Sequence, residues 1–430
     1  MHSHELPDQV FDDRHPSKDI LGTFSSGLKG KKVALGVTGS AAAYKSVDIA
    51  RLLMRYGAEV YPVMSKAAAK LISPDLLHWA CGNSPFVDFS GAVEHVQLGG
   101  NVRERADLVL VCPATANTIA KTATGIADTS VTALAGAALG EGVPVCMVPA
   151  MHTSLSIDSI TDSNIEILKK RGVHFIVSEI SEGPAKLPKS ETVLWSTIPL
   201  LSSNGPLAGK TIVVSAGRTV EYADSLGIIA GGNAAETGRM GVELTKALLL
   251  AGAHVYLVYG EGAASPLAGV PTKYVDTAEQ MSEEIEKLIA EKNADCFIAA
   301  AAVGKWKPSD ISTHSSTEQN RSEESFSLDL VPAARVIDRI RKKFPASYIV
   351  SFRTLPTNSE NAERELAELE ERPAHSRDAF ETKADIVALD RIGSGMQVFS
   401  KQGRRYHIPF SDDFRAAERL VEIISQLVDE

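Results

Sequence analysis

Two stretches of the chain repeat one pattern of apolar and polar positions. Lys32-Val33-Ala34-Leu35-Gly36-Val37 is a nearly continuous apolar run, as expected of a strand covered on both faces. The turn Thr38-Gly39-Ser40 follows, and a helical pattern then runs from about Ala42 to Tyr56 and stops at Gly57. The next strand is Glu59-Val60-Tyr61-Pro62-Val63-Met64. The pattern recurs with the strand Lys210-Thr211-Ile212-Val213-Val214-Ser215, the loop Ala216-Gly217-Arg218-Thr219, a helix from about Met240 to Leu250, and a strand reaching Val258. Each stretch predicts a β–α–β unit, hence a parallel sheet with right-handed crossovers. Leu108–Cys112, Val145–Val148 and Val173–Val177 add strands to the first sheet. The fold class is therefore α/β, with two Rossmann-like domains over residues 29–200 and 207–430. Leu201 to Leu207 is a linker of turn formers, and residues 1–28 form an extended lead-in. Residues 309–325 read as a mobile loop, and 357–380 as a solvated helix plus a loop.

Composition narrows the function classes. A length of 430 residues suits two or three domains, and a net charge of −10 argues against an unaided nucleic-acid binder. No apolar run reaches the roughly 20 residues that span a bilayer, and the first 25 residues lack a signal-peptide core. Cys81, Cys112, Cys146 and Cys296 form no CxxC pair, so neither a disulfide framework nor a zinc site is indicated. A reducing, cytoplasmic setting fits. No residues are assigned to a metal.

The chemistry gathers at strand ends. After Ala106–Val111 the chain breaks at Pro113 and offers Thr115, Asn117 and Thr118 as a helix begins. Open α/β sheets bind ligands at such places. Thr38-Gly39-Ser40 fits a phosphate-holding turn or a plain βα turn, and Ser65 adds a hydroxyl on the same edge. His95, in Val93-Glu94-His95-Val96, falls on a short strand by alternation and is either a structural histidine or a proton carrier at a substrate carboxylate or thiol. His152, in Pro149-Ala150-Met151-His152, ends another strand, and Lys186 follows a Gly183-Pro184-Ala185 turn as a surface or flap residue.

These residues resemble a family. Gly36 to Lys45, Val93 to Val96, Pro113 to Lys121 with Gly125-Ile126-Ala127-Asp128, and Pro149 to His152 are similar to the flavin-dependent cysteine decarboxylases of coenzyme A biosynthesis. With the second half included, the chain resembles the bifunctional phosphopantothenoylcysteine decarboxylase / phosphopantothenate–cysteine ligases in their archaeal form. The resemblance implies an FMN-binding flavoprotein (HFCD-type) domain followed by a ligase-type parallel-sheet domain. It implies FMN held by Gly39, Ser40, Ser65, Pro113, Thr115 and Asn117, with His95 catalytic. The flavin would oxidise the thiol of 4′-phosphopantothenoylcysteine so that CO2 leaves, and the enethiol would then be reduced to 4′-phosphopantetheine. A homotrimer or trimer-based dodecamer, with small-molecule substrates, is also implied.

The chain departs from that pattern in places. His152 stands where most members have Asn, and no cysteine lies between Cys146 and Cys296, so Lys186 or His152 replaces the family's flap proton donor. In the second half, Gly217 and Arg218, Gly238 and Arg239, and Lys305 and Lys307 match the ligase pattern for substrate and nucleotide, with Mg2+ and CTP (or another nucleotide) as co-reactants. Gly232 to Thr237, Val331-Pro332-Ala333 and Ala388-Leu389 replace polar stretches, which predicts a ligase half either divergent in substrate or inactive. The alternatives are a monofunctional decarboxylase and a regulatory flavin-binding protein. An NAD oxidoreductase is disfavoured, since neither half carries GxGxxG with an acidic residue about 20 positions on.

Overall fold

The computed structural model describes residues 15–177, 186–222, 228–231, 238–309, 329–333, 335–355, 383–391, 395–409 and 411–428. Two compact units divide between Leu201 and Ser202, inside the expected linker. The turn expected over Gly183–Ala185 and the segments expected over 357–380 and most of 309–325 lie outside the described residues.

The first unit holds β1 (Lys32–Val37), β2 (Glu59–Met64), β3 (Leu108–Ala114), β4 (Val145–Pro149) and β5 (His174–Phe175), all parallel, in the order β2-β1-β3-β4-β5. Its helices are α1 (Lys45–Arg55), α2 (Lys66–Ala69), α3 (Pro74–Cys81), α4 (Glu94–Gly99), α5 (Ala116–Thr124), α6 (Ser130–Gly140), α7 (Thr153–Ser156), α8 (Ser159–Lys170) and α9 (Ser190–Leu201). Helices on the faces of the parallel sheet explain why β3 and β4 are apolar and buried throughout. Helix α1 buries Ile49, Ala50, Leu53 and Met54 at helical spacing.

The lead-in is not extended where it is described. Pro16–Ile20 form a 3-10 turn, and the amides of Gly22, Phe24 and Leu28 donate to the carbonyls of Met54, Arg55 and Tyr56. The segment thus satisfies the Arg55 and Tyr56 carbonyls at the end of α1, and Leu28 is fully buried. Gly57, at φ +103°, makes this possible, since a Cβ there would lie 2.9 Å from the Lys29 nitrogen. The first helix also starts later than its pattern suggested, because Ala41–Tyr44 form a separate 3-10 turn.

The second unit contains β6 (Thr211–Ala216), β7 (Val220–Tyr222), β8 (Ile228–Ala230), β9 (His254–Tyr259), β10 (Thr272–Tyr274), β11 (Cys296–Ala299), β12 (Trp306–Pro308), β13 (Leu330–Pro332), β14 (Tyr348–Leu355), β15 (Ile386–Arg391), β16 (Gly395–Ser400) and β17 (Arg405–Ile408). Its helices are α10 (Arg239–Leu250), α11 (Ala278–Lys292), α12 (Val336–Lys343) and α13 (Asp413–Val428). The main sheet runs β10-β9-β6-β11-β14-β15-β16-β17, while β7 pairs with β8 and β12 with β13. The sheet expected to be parallel carries an antiparallel edge at β16 and β17. Chain length dictates this: β15 ends at Arg391 and β16 begins at Gly395, far too short a connection for a parallel crossover, which takes about a dozen residues.

Candidate functional site

In the first unit the chain leaves β1 for β2 on one side and returns to β3 on the other. The carboxyl ends of β1 and β3 therefore open onto a crevice, the usual ligand position in such sheets. Thr38, 1% exposed, spans it: its Oγ1 donates to the Pro113 carbonyl at 2.7 Å and accepts from the Thr115 amide at 3.1 Å. The hydroxyl thereby fixes where Thr115 begins α5. Pro113 itself is buried in β3. Gly39 has a packing reason to be glycine, because a Cβ there would fall 2.5 Å from the Ala67 Cβ. Helix α2 can start directly against the β1 turn only while that position is bare.

Three of the expected cofactor residues are helix N-caps on this one edge. The hydroxyl of Ser40 accepts from the Ala42 amide at 3.3 Å, that of Ser65 from the Ala68 amide at 3.2 Å, and that of Thr115 from the Thr118 amide at 3.3 Å. Capping uses an acceptor position and leaves the hydroxyls of Ser40 and Ser65 a proton to donate, while that of Thr115 also bonds to the Thr118 hydroxyl at 3.1 Å. Helix starts carry partial positive charge, so the edge is built to meet an anion. Asn117, exposed, sits in the first turn of α5. Sequence reasoning missed Ser130, whose buried hydroxyl donates to the Met64 carbonyl at 2.6 Å and ties α6 to the end of β2.

His95 lies on α4, not on a strand. The alternation that suggested a strand is broken by Val93, which adopts φ +50° and turns the chain into the helix. Phe86 is bridged to Val63 of β2, and edge-to-face contacts run from Phe86 to Phe89 at 6.2 Å and from Phe89 to His95 at 5.6 Å. This ladder of rings leads from the end of β2 to the imidazole. Nδ1 of His95 is shut off from solvent and has no hydrogen-bond partner. A buried unpaired ring nitrogen is costly and marks a group waiting for a ligand.

His152 caps α7 at the end of β4, with Nδ1 2.8 Å from the Ser154 hydroxyl, and it is exposed. In the sheet, β2 and β4 are separated by β1 and β3, so the strand ends serving His95 and His152 stand about 14 Å apart at the usual strand spacing. Lys186 is exposed.

The donor set fits a phosphorylated flavin. Hydroxyl groups and helix starts suit its phosphate and the polar ring atoms. The thiols do not join in. All four cysteines are buried, and burial pushes Cys81 and Cys146 up to about 12 and raises Cys112 and Cys296 as well. A raised thiol pKa leaves little thiolate. A disulfide reagent at mildly alkaline pH should therefore titrate less than about one thiol per native chain and all four in denaturant. Rapid reaction in the native protein would show an accessible thiolate.

The second unit repeats the device. Its chain leaves β6 for β9 on one side and returns to β11 on the other. The fully buried Thr219 accepts from the Gly304 amide at 2.9 Å through Oγ1, and its own amide donates to the Ala302 carbonyl at 3.1 Å. Gly217 and Gly238 touch, since a Cβ on Gly238 would lie 3.0 Å from the Gly217 Cα. Arg218 at this junction is bound to Glu261 at 2.8 Å. Lys305 follows Gly304 and is exposed, so Gly217, Arg218, Gly238 and Lys305 gather at the switch point. Arg239 instead pairs with Asp413 at 2.9 Å, and exposed Lys307 lies out on β12. Glu221, also overlooked, is buried and accepts from the Ala278 amide at 3.0 Å, so it serves the start of α11. Among the described residues no group of three or more His, Cys, Asp or Glu side chains is placed to hold a metal ion, and no helix is long and apolar enough to cross a membrane.

Comparison with known proteins bears on both units. Residues 22–202 match the flavoprotein family model, and residues 207–427 match the DNA/pantothenate metabolism flavoprotein C-terminal domain. The chain is 35% identical over 419 residues to the coenzyme A biosynthesis bifunctional protein CoaBC of Thermococcus kodakarensis, covering 96% of this chain and all of that one. It is 31% identical to the protein of the same description from Methanocaldococcus jannaschii, covering 79% of this chain and 80% of that one. Among solved structures, the C-terminal domain of a CoaBC protein is 20% identical with a TM-score of 0.41, covering 52% of this chain and 98% of that chain.

Proposed function

The chain belongs to the family of bifunctional coenzyme A biosynthesis proteins CoaBC, and from that premise we propose that its two crevices carry two successive reactions. The first unit decarboxylates 4′-phosphopantothenoylcysteine to 4′-phosphopantetheine. The second makes that substrate from 4′-phosphopantothenate and cysteine at the expense of a nucleotide. The carrying observation is the His95 ring, whose Nδ1 is buried without a hydrogen-bond partner at the end of a ladder of rings that starts at β2.

When bound, FMN supplies the two-electron oxidation of the substrate thiol that makes loss of CO2 easy. Ser40, Ser65 and Thr115 hold it with their hydroxyls, Asn117 with its amide, and Gly39 and Pro113 by shaping the floor. His95 moves a proton at the substrate's thiol or carboxylate. His152, exposed at the end of β4, and the exposed Lys186 are the candidate donors of the last proton. In the second unit, Arg218 and the exposed Lys305 at the switch point supply positive charge for CTP or another nucleotide, while Arg239 is engaged with Asp413 and Lys307 lies out on β12. Mg2+ enters with the nucleotide phosphates rather than in a protein cage, as that ion commonly does. The protein works in the cytoplasm as a homotrimer or trimer-based dodecamer. Support for self-association comes from Leu155, Ile157, Ile160 and Ile167, large apolar side chains left exposed on or just before α8.

The test uses the purified full chain. Its visible spectrum is recorded, 4′-phosphopantothenoylcysteine is added, and CO2 and phosphopantetheine are measured. CTP or ATP with Mg2+, cysteine and phosphopantothenate then tests the second unit. A colourless protein that cannot be reconstituted with FMN, or a yellow one without turnover, overturns the decarboxylase reading. Absence of ligation with either nucleotide overturns the other.

A further inference from the structure

We propose that Glu261 is a positioning residue for Arg218, holding one edge of its guanidinium so that the rest of the group is left, already oriented, for a phosphate oxyanion at the second unit's switch point. The inference rests on the ligase reading for the identity of the ligand; the pair itself is built into the fold. Arg218 follows β6 and lies between two loops. On one side its amide donates to the Glu261 carbonyl at 2.7 Å and its carbonyl accepts from the Glu261 amide at 2.9 Å, an antiparallel bridge. On the other, the Ala302 amide donates to the Gly217 carbonyl at 2.8 Å and the Thr219 amide to the Ala302 carbonyl at 3.1 Å. Glycines permit this approach. A Cβ on Gly260 would fall 2.2 Å from the Arg218 carbonyl oxygen, and one on Gly217, at φ +76°, 2.8 Å from that of Glu261. Residues opposed across an antiparallel bridge project their side chains to the same face, so these two meet. Arg218 Nε donates to Glu261 Oε2 at 2.9 Å, and Nη2 lies 2.8 Å from the same oxygen.

The pair adds little to the fold. Backbone hydrogen bonds already fix the loop on both sides, and the Glu261 side chain is 54% exposed, where an ion pair contributes little to stability. What the contact does fix is the direction of a long, otherwise mobile side chain. A guanidinium carries its N–H donors in a rigid plane, and the carboxylate uses only the edge formed by Nε and Nη2. Among the described residues nothing bonds to Nη1. That remaining donor set suits the oxygens of a phosphate. Taken together the pair is neutral, so Arg218 supplies directed donors. Net charge comes from the exposed Lys305, next to the Gly304 whose amide is bonded to Thr219.

The test measures calorimetric binding of pyrophosphate, CTP and 4′-phosphopantothenate, each with Mg2+, to the flavin-loaded full chain. The parent is compared with Glu261→Ala, Glu261→Gln and Arg218→Lys. Glu261→Ala keeps the backbone bridge but removes the acceptor, so affinity should fall about tenfold while the melting temperature holds within about 2 °C. Glu261→Gln keeps an acceptor oxygen and should bind within about twofold of the parent. Arg218→Lys keeps the charge without the planar fork and should lose about as much as Glu261→Ala; it carries the test if that variant does not fold. The sign decides between positioning and charge. A carboxylate beside an anion repels it, so if charge alone mattered, Ala and Gln would both bind more tightly, and that result overturns the proposal. Unchanged affinity in Glu261→Ala overturns it as well. Pyrophosphate and CTP moving together place the oxyanion on the nucleotide, whereas an effect confined to phosphopantothenate places it on that substrate. A parent that binds pyrophosphate with the expected pattern but neither CTP nor phosphopantothenate keeps the positioning role and sinks the ligase reading. A parent that binds none of the three overturns both.

Discussion

His95→Asn leaves the protein yellow and lowers decarboxylase turnover by about 10²–10⁴-fold, the range that a general acid or base contributes. Asparagine keeps a similar size and a donor group but cannot take up a proton at neutral pH. The flavin should remain, because the groups that fit it stand on the caps of α2, α5 and the turn after β1 rather than on α4. The helix should remain too. Its seat on α6 is made at Gly99, where a Cβ would come within 3.0 Å of the Leu134 carbonyl oxygen, and the substitution does not touch that contact. Replacing a buried unpaired nitrogen removes no hydrogen bond, so the melting temperature should hold within about 2 °C. Absorbance, CO2 release and a thermal melt on one preparation separate the possibilities. Full turnover in the variant removes His95 from the chemistry, and turnover lost together with flavin and melting temperature makes its role structural.

What could be read from the chain follows from which interactions are local. Strands such as Lys32–Val37 and Glu59–Met64 appear where the apolar runs put them, because burial on both faces leaves few polar substitutions to blur the pattern. The capping residues Ser40, Ser65 and Thr115 were visible as hydroxyls preceding helices, since an N-cap is a relation between neighbours. His95 was visible as a residue but not as a helical one, because the turn that starts α4 needs a left-handed valine that propensity would never nominate. Thr38 and Thr219 lay in the quoted motifs, yet their shared task of bridging a switch point joins segments 75 and 85 residues apart. Glu221 and Ser130 were missed for the same reason: their partners, Ala278 and Met64, are remote in sequence. The antiparallel edge of the second sheet was legible in principle from the short β15–β16 connection. Reading it required the strands first.

The same kind of remote contact makes Asp385→Ala the most damaging structural change expected in the second unit. Asp385 is 6% exposed and sits just before β15. Its Oδ2 accepts from the Ile349 amide at 2.9 Å and pairs with Arg341, and its Oδ1 accepts from Lys401 at 3.1 Å. Arg341 in turn donates to the carbonyls of Lys383, Pro345 and Ser347. One carboxylate thus ties the start of β14, the segment after α12 and the β16–β17 turn to β15. Truncation leaves the Ile349 amide unsatisfied and Arg341, with its side chain 18% exposed, without its counter-charge. Breaking one side of a buried pair costs about 3–5 kcal/mol, while the Lys401 contact adds little because that side chain is 58% exposed. For a unit of this size the melting transition should fall by about 10 °C. Asp385→Asn keeps an acceptor for Ile349 and should lose about half as much. Bound flavin should be unchanged in both, because the flavin crevice belongs to the first unit, so calorimetry should show one transition moving while the flavin-linked one stays. Equal effects of Ala and Asn would mean that the charge, not the hydrogen bond to β14, carries the stabilisation. A melt unchanged in both variants would remove Asp385 from the account of this fold.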